Sequence, residues 1–263
     1  MIPKIIQYCW FGDKEKSREI QRCMQSWNKL IGYEFYELND NNCDLKVNKF
    51  VKDAVSHGKW AFVSDYFRLA GLYKYGGFYL DTDVQVNTSF DSLLTKKMIL
   101  GYLYPSCIGT AVIGAEPNHP LLGKLLDLYN DAFWNDSFTS FSVSDFPKEK
   151  FSDNNDLFTF SLKKFYSTFL LNGQFAELSN LTIFPKESFE VGHIIGTSYT
   201  THKCEGSWTV NDSMQKKMNS IIKKAAATIP LIHLDSLIRH ISYVKKSKSC
   251  PYYNVYLVDS HRT

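Results

Sequence analysis

The 263-residue chain lacks long apolar runs and a strong net charge. No apolar stretch reaches the roughly 18 residues that a membrane-spanning helix needs. The apolar run after Lys4 is broken by Gln7 and Gly12, so it does not resemble a signal peptide. The net charge of +3 is too small to favour nucleic acid as a partner. These absences predict a cytoplasmic protein that does not bind nucleic acid.

Several common functional motifs are also absent. The six cysteines are scattered without a C-x-x-C pair, which argues against a zinc knuckle or a thioredoxin-type site and favours a reduced, cytosolic protein. The motifs G-x-x-x-x-G-K-[ST], G-x-G-x-x-G and G-x-S-x-G are missing, so nothing supports a P-loop NTPase, a dinucleotide oxidoreductase or an α/β-hydrolase. Aromatic residues, in contrast, make up 15% of the chain, which suits pockets where rings stack on flat ligands.

Basic residues concentrate towards the C-terminal end. Between Ser213 and Cys250 there are eight Lys or Arg residues and one acid, Asp235. This segment could face an anionic membrane or acceptor, and the alternative is a solvated helix face. The cytoplasmic protein could therefore bind peripherally to the inner face of the plasma membrane.

Strands and helices alternate over the first half of the chain. Apolar runs predict strands at 5–11, 33–38, 78–80, 84–86, 98–104, 110–114 and 181–184. Helical spacing predicts helices at 15–30, 48–57, 59–75, 119–133 and 158–171. The polar segment 135–155 predicts a long loop or insertion. The alternation indicates an α/β layer fold, in which ligands bind beyond the carboxyl ends of the strands.

The most informative segment is 59–86, a predicted helix, a Gly-Gly turn and a short strand that ends on Asp81 and Asp83. Two carboxylates at a strand end can hold a divalent cation, because Mg²⁺ and Mn²⁺ prefer oxygen ligands and leave positions for substrate phosphate oxygens. Roughly one D-x-D pair is expected by chance in a chain with this many aspartates, so a surface turn with two solvated acids is the alternative. The turn and strand before the pair favour the metal site.

Three further candidates precede the two carboxylates. Asp65 and Arg68 lie on one face of the predicted helix and could reach the same crevice, or could form only a surface ion pair. Trp10 follows the first predicted strand and could belong to the core or serve as a platform for a flat base.

A last group of candidates lies in the segment 199–208, predicted to be a loop. His202 could complete a metal shell through its neutral imidazole, or could be merely structural. Ser207 and Trp208 could donate hydrogen bonds to phosphate oxygens.

Three motifs occur in the order of a known family: IPKIIQYCWFG, AFVSDYFRLAGLYKYGGFYLDTDV and HKCEGSW. They resemble the DXD-containing glycosyltransferases of family 32, which include capsular-polysaccharide and yeast mannosyltransferase relatives, and the core is similar to the glucosylating domain of large clostridial toxins. The resemblance covers 2–120 and then 202–208. It implies a GT-A fold, a Rossmann-like mixed central sheet flanked by helices. The single domain, 1–263, would have helical insertions, a nucleotide-sugar core at 1–120, and the acceptor side with a metal and diphosphate loop at 121–263.

The resemblance implies a nucleotide-sugar donor, UDP-linked, and assigns residues to it. Trp10 would stack on the uracil base. Asp65 and Arg68 would hydrogen-bond the donor sugar, and Asp81 would contact both ribose and sugar.

The resemblance also implies a divalent cofactor, Mn²⁺ or Mg²⁺. Asp83 would ligate the metal, with His202 as a further ligand or diphosphate contact and Asp81 as an alternative ligand. Ser207 and Trp208 would hold the β-phosphate and the leaving group. The catalytic set implied in this way comprises Asp65, Arg68, Asp81 and Asp83.

The expected function is a retaining transfer of a hexose or N-acetylhexosamine to a saccharide or lipid-linked saccharide acceptor, in bacterial surface polysaccharide synthesis. One alternative is a haloacid-dehalogenase-type phosphatase with Asp81 as nucleophile and Asp83 as acid/base, although the downstream acidic pair of such enzymes is not found. Another is a non-catalytic nucleotide-sugar-binding protein. The sequence departs from the family at Gln7, where a histidine is usual. It also lacks a Gly-Pro element in 135–174, so acceptor-side positions cannot be transferred.

Overall fold

The computed structural model describes residues 1–192, 198–203 and 234–262. Within them, strands and helices alternate over the first half of the chain. The strands are β1 (Ile5–Cys9), β2 (Glu34–Leu38), β3 (Gly77–Leu80), β4 (Val84–Val86), β5 (Met98–Tyr104), β6 (Cys107–Ala115), β7 (Ala132–Trp134), β8 (Phe141–Val143), β9 (Phe146–Phe151), β10 (Ala176–Glu177), β11 (Thr182–Phe184) and β12 (Thr200–His202). The helices are α1 (Arg18–Gln25), α2 (Lys49–Ser56), α3 (Trp60–Tyr75), α4 (Pro120–Asn130), α5 (Asn154–Phe165), α6 (Lys186–Phe189), α7 (Leu234–Ser247) and α8 (Tyr253–Ser260).

The central element is a seven-stranded mixed sheet in the order β10-β11-β5-β6-β3-β1-β2. Strand β1 pairs in parallel with β2 and β3, whereas β6 runs antiparallel between β3 and β5. Alternate residues of β3 face opposite sides, as the period of two requires. Tyr79 packs with the cluster under α2 to α5, and Phe78 and Leu80 pack with the cluster that includes Trp27 and Phe189. This confirms the predicted α/β fold with a mixed central sheet flanked by helices.

The parallel pairing of β1 with β3 opens their carboxyl ends at one edge of the sheet. Trp10 follows β1 at this edge, and Asp81 follows β3. The chain continues through Thr82 and Asp83 into β4, which pairs antiparallel with β12 and places His202 opposite Val84. Residues more than a hundred positions apart in sequence are therefore neighbours at this edge.

The polar segment 135–155 is an insertion but not a loop, since it contains most of a three-stranded antiparallel sheet, β7-β8-β9. Its aromatic side chains pack against two helices, since Phe141 lies 5.0 Å from Phe50 of α2 and Phe146 lies 5.0 Å from Phe160 of α5 between ring centroids. Because the segment as a whole is polar in composition, a prediction from composition does not identify these residues as strands. Tertiary packing fixes them as strands.

Capping residues move several helix boundaries from their predicted positions. Helix α1 begins at Arg18 instead of 15, because the Ser17 side chain accepts a hydrogen bond from the Ile20 N–H. Helix α5 begins at Asn154 instead of 158, because Asp153 accepts from the Asp156 N–H. No helix among the described residues is long and apolar enough to cross a bilayer. The division of the single domain near residue 120 stays a prediction.

Gly77, at the start of β3, should tolerate substitution poorly. Its φ is +95°, and a Cβ there would lie 2.4 Å from the Ile5 carbonyl oxygen on β1. We expect Gly77→Ala to lower the free energy of unfolding by about 2–4 kcal/mol, through both the left-handed backbone and the clash. Gly32 is the control, because its φ is +78° but nothing lies within 4 Å. Gly32→Ala should cost about 1 kcal/mol, and equal losses in urea denaturation would contradict the role of the β1 contact.

Candidate active site

Asp81, Asp83 and His202 form one cluster beyond the end of β3. A ligand atom of each lies within 4.8 Å of those of the other two, and Asp83 Oδ1 is 3.2 Å from His202 Nε2. Asp83 and His202 are buried, whereas Asp81 is partly exposed. Two carboxylate oxygens and one imidazole nitrogen are a donor set that suits Mn²⁺ and is accessible to Mg²⁺. The residues present therefore fit the divalent ion that the sequence suggests.

Backbone hydrogen bonds hold the turn that carries the two carboxylates. The Asp81 N–H donates to the Ala111 carbonyl of β6 at 2.8 Å, and the Val84 N–H donates to the Asp81 carbonyl at 3.0 Å. From the other side, the Lys203 N–H donates to the Asp83 carbonyl at 3.0 Å. The turn is thus fixed to both sheets, so the carboxylates are oriented before any ligand binds.

Glu190 is a buried acid behind the imidazole that the sequence did not indicate. Its Oε2 lies 2.8 Å from His202 Nδ1, and its carbonyl accepts a hydrogen bond from the His202 N–H at 3.0 Å. A carboxylate at Nδ1 favours the proton on that nitrogen and leaves Nε2, which lies 3.2 Å from Asp83 Oδ1, as the nitrogen that could ligate a metal together with Asp83. Glu190 lies in no recognisable motif, so no local signal could have found it.

Arg68 joins helix α3 to two strands through buried contacts. Its Nη2 lies 3.1 Å from Asp65 Oδ1 and 3.3 Å from Asp81 Oδ1. Its Nη1 donates to the Thr110 carbonyl at 2.7 Å, and the guanidinium stands 4.6 Å from the Tyr79 ring centroid. Asp65 and Arg68 are 7% and 6% exposed, so the alternative of a surface ion pair is wrong.

The carboxylates outnumber the single arginine in this buried region. Burial raises the pKa of Asp65 to about 7, against the opposing effect of Arg68. Burial also raises the pKa of Asp81, where Arg68 again opposes the shift and the charge of Asp83 adds to it. Such crowding of like charges is costly unless a cation shares the site. A divalent ion would lower the pKa of its carboxylate ligands and relieve this repulsion.

A cavity of about 780 Å³ opens over the cluster. This size suits a ligand of several rings. The lining brings together the predicted residues that the structure describes, Trp10, Asp65, Arg68, Asp81, Asp83 and His202. Ser207 and Trp208 lie outside the described residues.

Trp10 is half-buried at the cavity wall and does not belong to the core. Its indole N–H donates to the Lys14 carbonyl at 2.8 Å, and Lys16 Nζ stands 4.9 Å from the ring centroid. Gln7, where the sequence departs from the family pattern, lies in β1 and is fully buried. Its side-chain amide donates a hydrogen bond to the Gly76 carbonyl at 2.7 Å. Gln7 therefore has a structural role between β1 and α3.

The N-terminus of α5 adds polar residues to the cavity that the sequence analysis missed. Asn155 Oδ1 accepts hydrogen bonds from the Thr110 N–H at 3.0 Å and from its hydroxyl at 2.8 Å, and Asp153 caps the helix. All three residues line the cavity. A signal was present, because Asp153 followed three residues later by Asp156 is an N-cap pattern.

Residues 14–100 match a family described as the glycosyltransferase sugar-binding region containing the DXD motif. The matched segment includes Asp65, Arg68, Asp81 and Asp83. The match confirms the predicted resemblance to DXD-containing glycosyltransferases. Among curated proteins, no significant match to the chain is found.

Two solved structures show distant similarity to the chain. The PaToxG glycosyltransferase has a TM-score of 0.43 and 22% identity, with 48% of this chain and 60% of that chain covered. A glycosyltransferase involved in the glycosylation of the major capsid of PBCV-1 has a TM-score of 0.40 and 12% identity, with 78% of this chain and 95% of that chain covered. The chain thus spans 60% of the length of the first of these structures.

Replacement of Glu190 should weaken metal binding without unfolding the site. Glu190→Gln keeps the size of the side chain but removes the charge that orients His202, so we expect the Mn²⁺ affinity to fall about 10–100-fold in isothermal titration calorimetry. Glu187→Gln is the matched control, because Glu187 lies on α6 beside Lys186 and His240 and does not line the cavity. An unchanged affinity in Glu190→Gln would show that the carboxylate does not position the imidazole.

Proposed function

We propose that this protein is a metal-dependent glycosyltransferase of family 32 type that takes its sugar from a UDP-sugar. The observation that carries the proposal is a single cavity that joins a metal-binding cluster, a buried Asp65–Arg68 pair and the aromatic ring of Trp10. A nucleotide sugar has three matching parts, an anionic diphosphate, a hydroxyl-rich ring and a flat base. Each part of the cavity supplies the chemistry that one of them needs.

On the donor side, Trp10 stacks on the uracil base, and Asp65 with Arg68 binds the hydroxyls of the transferred hexose or N-acetylhexosamine. Arg68 Nε is buried and has no hydrogen-bond partner among the described residues. A buried N–H without a partner is destabilising. An oxygen atom of the nucleotide sugar that accepts a hydrogen bond from Arg68 Nε would therefore increase the affinity of the protein for that sugar. Asp81 contacts ribose and sugar in this arrangement.

Asp83 and His202 would hold Mn²⁺ or Mg²⁺, with Asp81 as a further ligand, and the ion supplies positive charge next to the departing diphosphate. Ser207 and Trp208 are assigned to the same diphosphate. Asp65 is held beside Arg68 at 3.1 Å, and its carboxylate stabilises the positive charge that develops on the anomeric carbon, as carboxylates do in glycosidases.

The proposed chemistry is a front-side displacement with retention. The acceptor hydroxyl oxygen bonds to the anomeric carbon while the bond from that carbon to the phosphate oxygen breaks. The leaving phosphate oxygen takes the proton of the acceptor hydroxyl, so no separate protein base is required. A glycosyl–enzyme adduct found in the intact protein mass would contradict this mechanism.

Donor binding should depend on the metal. In a thermal-shift panel of UDP- and GDP-sugars, we expect a UDP-sugar to raise the unfolding midpoint with Mn²⁺ and not without it, because ligands that bind the native state stabilise it. Asp83→Asn should abolish this shift and reduce Mn²⁺-dependent hydrolysis of the same UDP-sugar about 100-fold or more. Asp145→Asn, at an exposed aspartate outside the cavity, is the matched control and should behave as the wild type.

Further assays distinguish the transferase from a phosphatase and from a non-catalytic binding protein. Phosphomonoester hydrolysis with a phosphoryl group trapped on Asp81 would favour the phosphatase. UDP-sugar binding without turnover, to water or to any acceptor, would favour the non-catalytic binding protein. The anomeric configuration of the released sugar, read by NMR at early times, is expected to match that of the donor.

We also propose that the acceptor is a saccharide, lipid-linked, of bacterial surface polysaccharide synthesis, reached from the cytoplasmic face of the membrane. The support comes from α7 and the turn after it, where Lys245, Lys246 and Lys248 are exposed together with Ile241 and Val244. Apolar side chains next to lysines complement the interface of an anionic bilayer. Such a peripheral contact would hold the protein at the surface that carries a lipid-linked substrate.

Loss of these lysines should weaken membrane binding. Each lysine near an anionic surface contributes about 1 kcal/mol, so the triple variant Lys245→Gln, Lys246→Gln, Lys248→Gln should bind vesicles containing phosphatidylglycerol about 100-fold more weakly in cosedimentation. The double variant Lys148→Gln, Lys150→Gln on β9 is the control, because these lysines are equally exposed on another element. Unchanged binding of the triple variant would indicate a solvated helix face instead.

A further inference from the structure

Two cysteines from distant parts of the sequence meet beside the turn between β5 and β6. Cys107 begins β6 and is buried, whereas Cys250 lies between α7 and α8 and is half-buried. Cys250 Sγ is 3.4 Å from the carbonyl oxygen of Ser106, the residue bonded to Cys107. The Cys107 thiol donates to the Ile108 carbonyl at 3.5 Å and accepts from the Thr159 hydroxyl at 3.7 Å. The Cys250 sulfur therefore lies next to the peptide group that joins Ser106 to Cys107, and both cysteines are free thiols.

The contact is maintained by neighbours that are not cysteines. Ser106 Oγ donates to the Ser247 carbonyl at 3.0 Å and lies 2.8 Å from the Ser247 hydroxyl. The rings of Tyr104 and Tyr243 pack edge to face, with centroids 5.2 Å apart. The end of α7 is thus docked on the β5–β6 turn, and the proximity of the thiols does not depend on a chance side-chain rotamer.

The two thiols differ in reactivity. The neighbouring Cys107 thiol, helped by the Tyr252 backbone, lowers the pKa of Cys250 to about 7, although burial and the charge of Asp156 oppose the shift. The neighbouring Cys250 thiol and burial raise the pKa of Cys107. The thiolate is the nucleophile in thiol–disulfide exchange and must be reached by the small disulfide. Cys250 is half-buried whereas Cys107 is buried, so Cys250 is the more reactive partner.

We propose that Cys107 and Cys250 are a thiol–disulfide exchange site, with Cys250 as the attacking cysteine and Cys107 as the resolving cysteine, and with low-molecular-weight disulfides such as oxidised glutathione as the oxidant. The site is separate from the cavity, since neither cysteine lines it. The proposal does not depend on the transferase function.

The chemistry proceeds in two balanced steps. The Cys250 thiolate attacks one sulfur of the small disulfide, which forms a mixed disulfide on Cys250 and releases one thiolate. Cys107 then attacks the Cys250 sulfur, passes its proton to the departing thiolate and displaces the second small thiol. The protein loses two electrons and forms one disulfide, and the oxidant is reduced to two thiols.

The disulfide would link the start of β6 to the linker between α7 and α8. It would thereby close a loop that joins the middle of the chain to its C-terminal helices. Closing a long loop restricts the unfolded chain, so oxidation should stabilise the fold. We expect the unfolding midpoint of the oxidised protein to rise by about 5–10 °C, reversed by dithiothreitol.

The test treats the full chain with oxidised glutathione at pH 7, blocks the remaining thiols with N-ethylmaleimide and maps peptides by mass spectrometry without reduction. Wild type should yield a peptide pair cross-linked through Cys107 and Cys250. Cys107→Ser should stop at a glutathione adduct on Cys250, because the resolving thiol is gone. Cys250→Ser should yield neither product and leave Cys107 unmodified.

Cys43→Ser is the matched control. Cys43 is half-buried like Cys250, but burial raises its pKa to about 11, so its removal should leave the cross-link and the midpoint shift intact. Adducts on Cys43 that form as fast as on Cys250 would overturn the proposal. A cross-link from Cys250 to Cys204, which lies outside the described residues, or the absence of any Cys107–Cys250 peptide in wild type, would overturn it as well. Mapping of the wild type decides the question even if a variant does not fold.

Discussion

The buried guanidinium of Arg68 is the contact on which the site depends. It ties Asp65 on α3 to Asp81 at the end of β3 and to Thr110 on β6, with all polar distances between 2.7 and 3.3 Å. A buried charge is tolerated when it is paired and hydrogen-bonded, and loss of one partner typically costs about 3–5 kcal/mol. The helix and the two strands therefore cannot shift independently, and the position of the first carboxylate follows from the position of the arginine.

The same region carries more negative than positive charge around His202. Asp83, Asp81 and Glu190 surround one imidazole, and Glu190 sits 2.8 Å from its Nδ1. Glu190 favours the tautomer in which His202 Nε2 can accept a cation, and a cation in the cluster would offset the burial and the repulsion by Asp83 that raise the pKa of Asp81. The acids that would bind the cation are thus the same groups whose mutual repulsion the cation would reduce.

The sequence predicted best those parts of the site whose residues lie close together along the chain. The spacing within 59–86 predicted α3, β3 and the carboxylates, because helix period, Gly-Gly turn and strand end are all short-range signals. Glu190 and Thr110 could not be found in this way, since strand pairing and packing bring them to the cavity from separate segments. The N-cap signal at Asp153 marks the start of α5 but not the position of Asn155 at the cavity. The strands β8 and β9 were missed for a related reason, because their aromatic contacts with α2 and α5 select them although the average composition of the segment is polar.

The cysteine pair, like Glu190, is brought together by tertiary packing and not by a motif in the sequence. A motif search for C-x-x-C tests neighbours in sequence, but Cys107 and Cys250 become neighbours only when α7 docks on the β5–β6 turn. Cys107 shares β6 with Thr110, the partner of Arg68. However, every residue of β6 is buried and the strand is hydrogen-bonded on both sides. Such a strand resists displacement, so a disulfide at its first residue should restrain the C-terminal helices and leave the geometry around Arg68 unchanged.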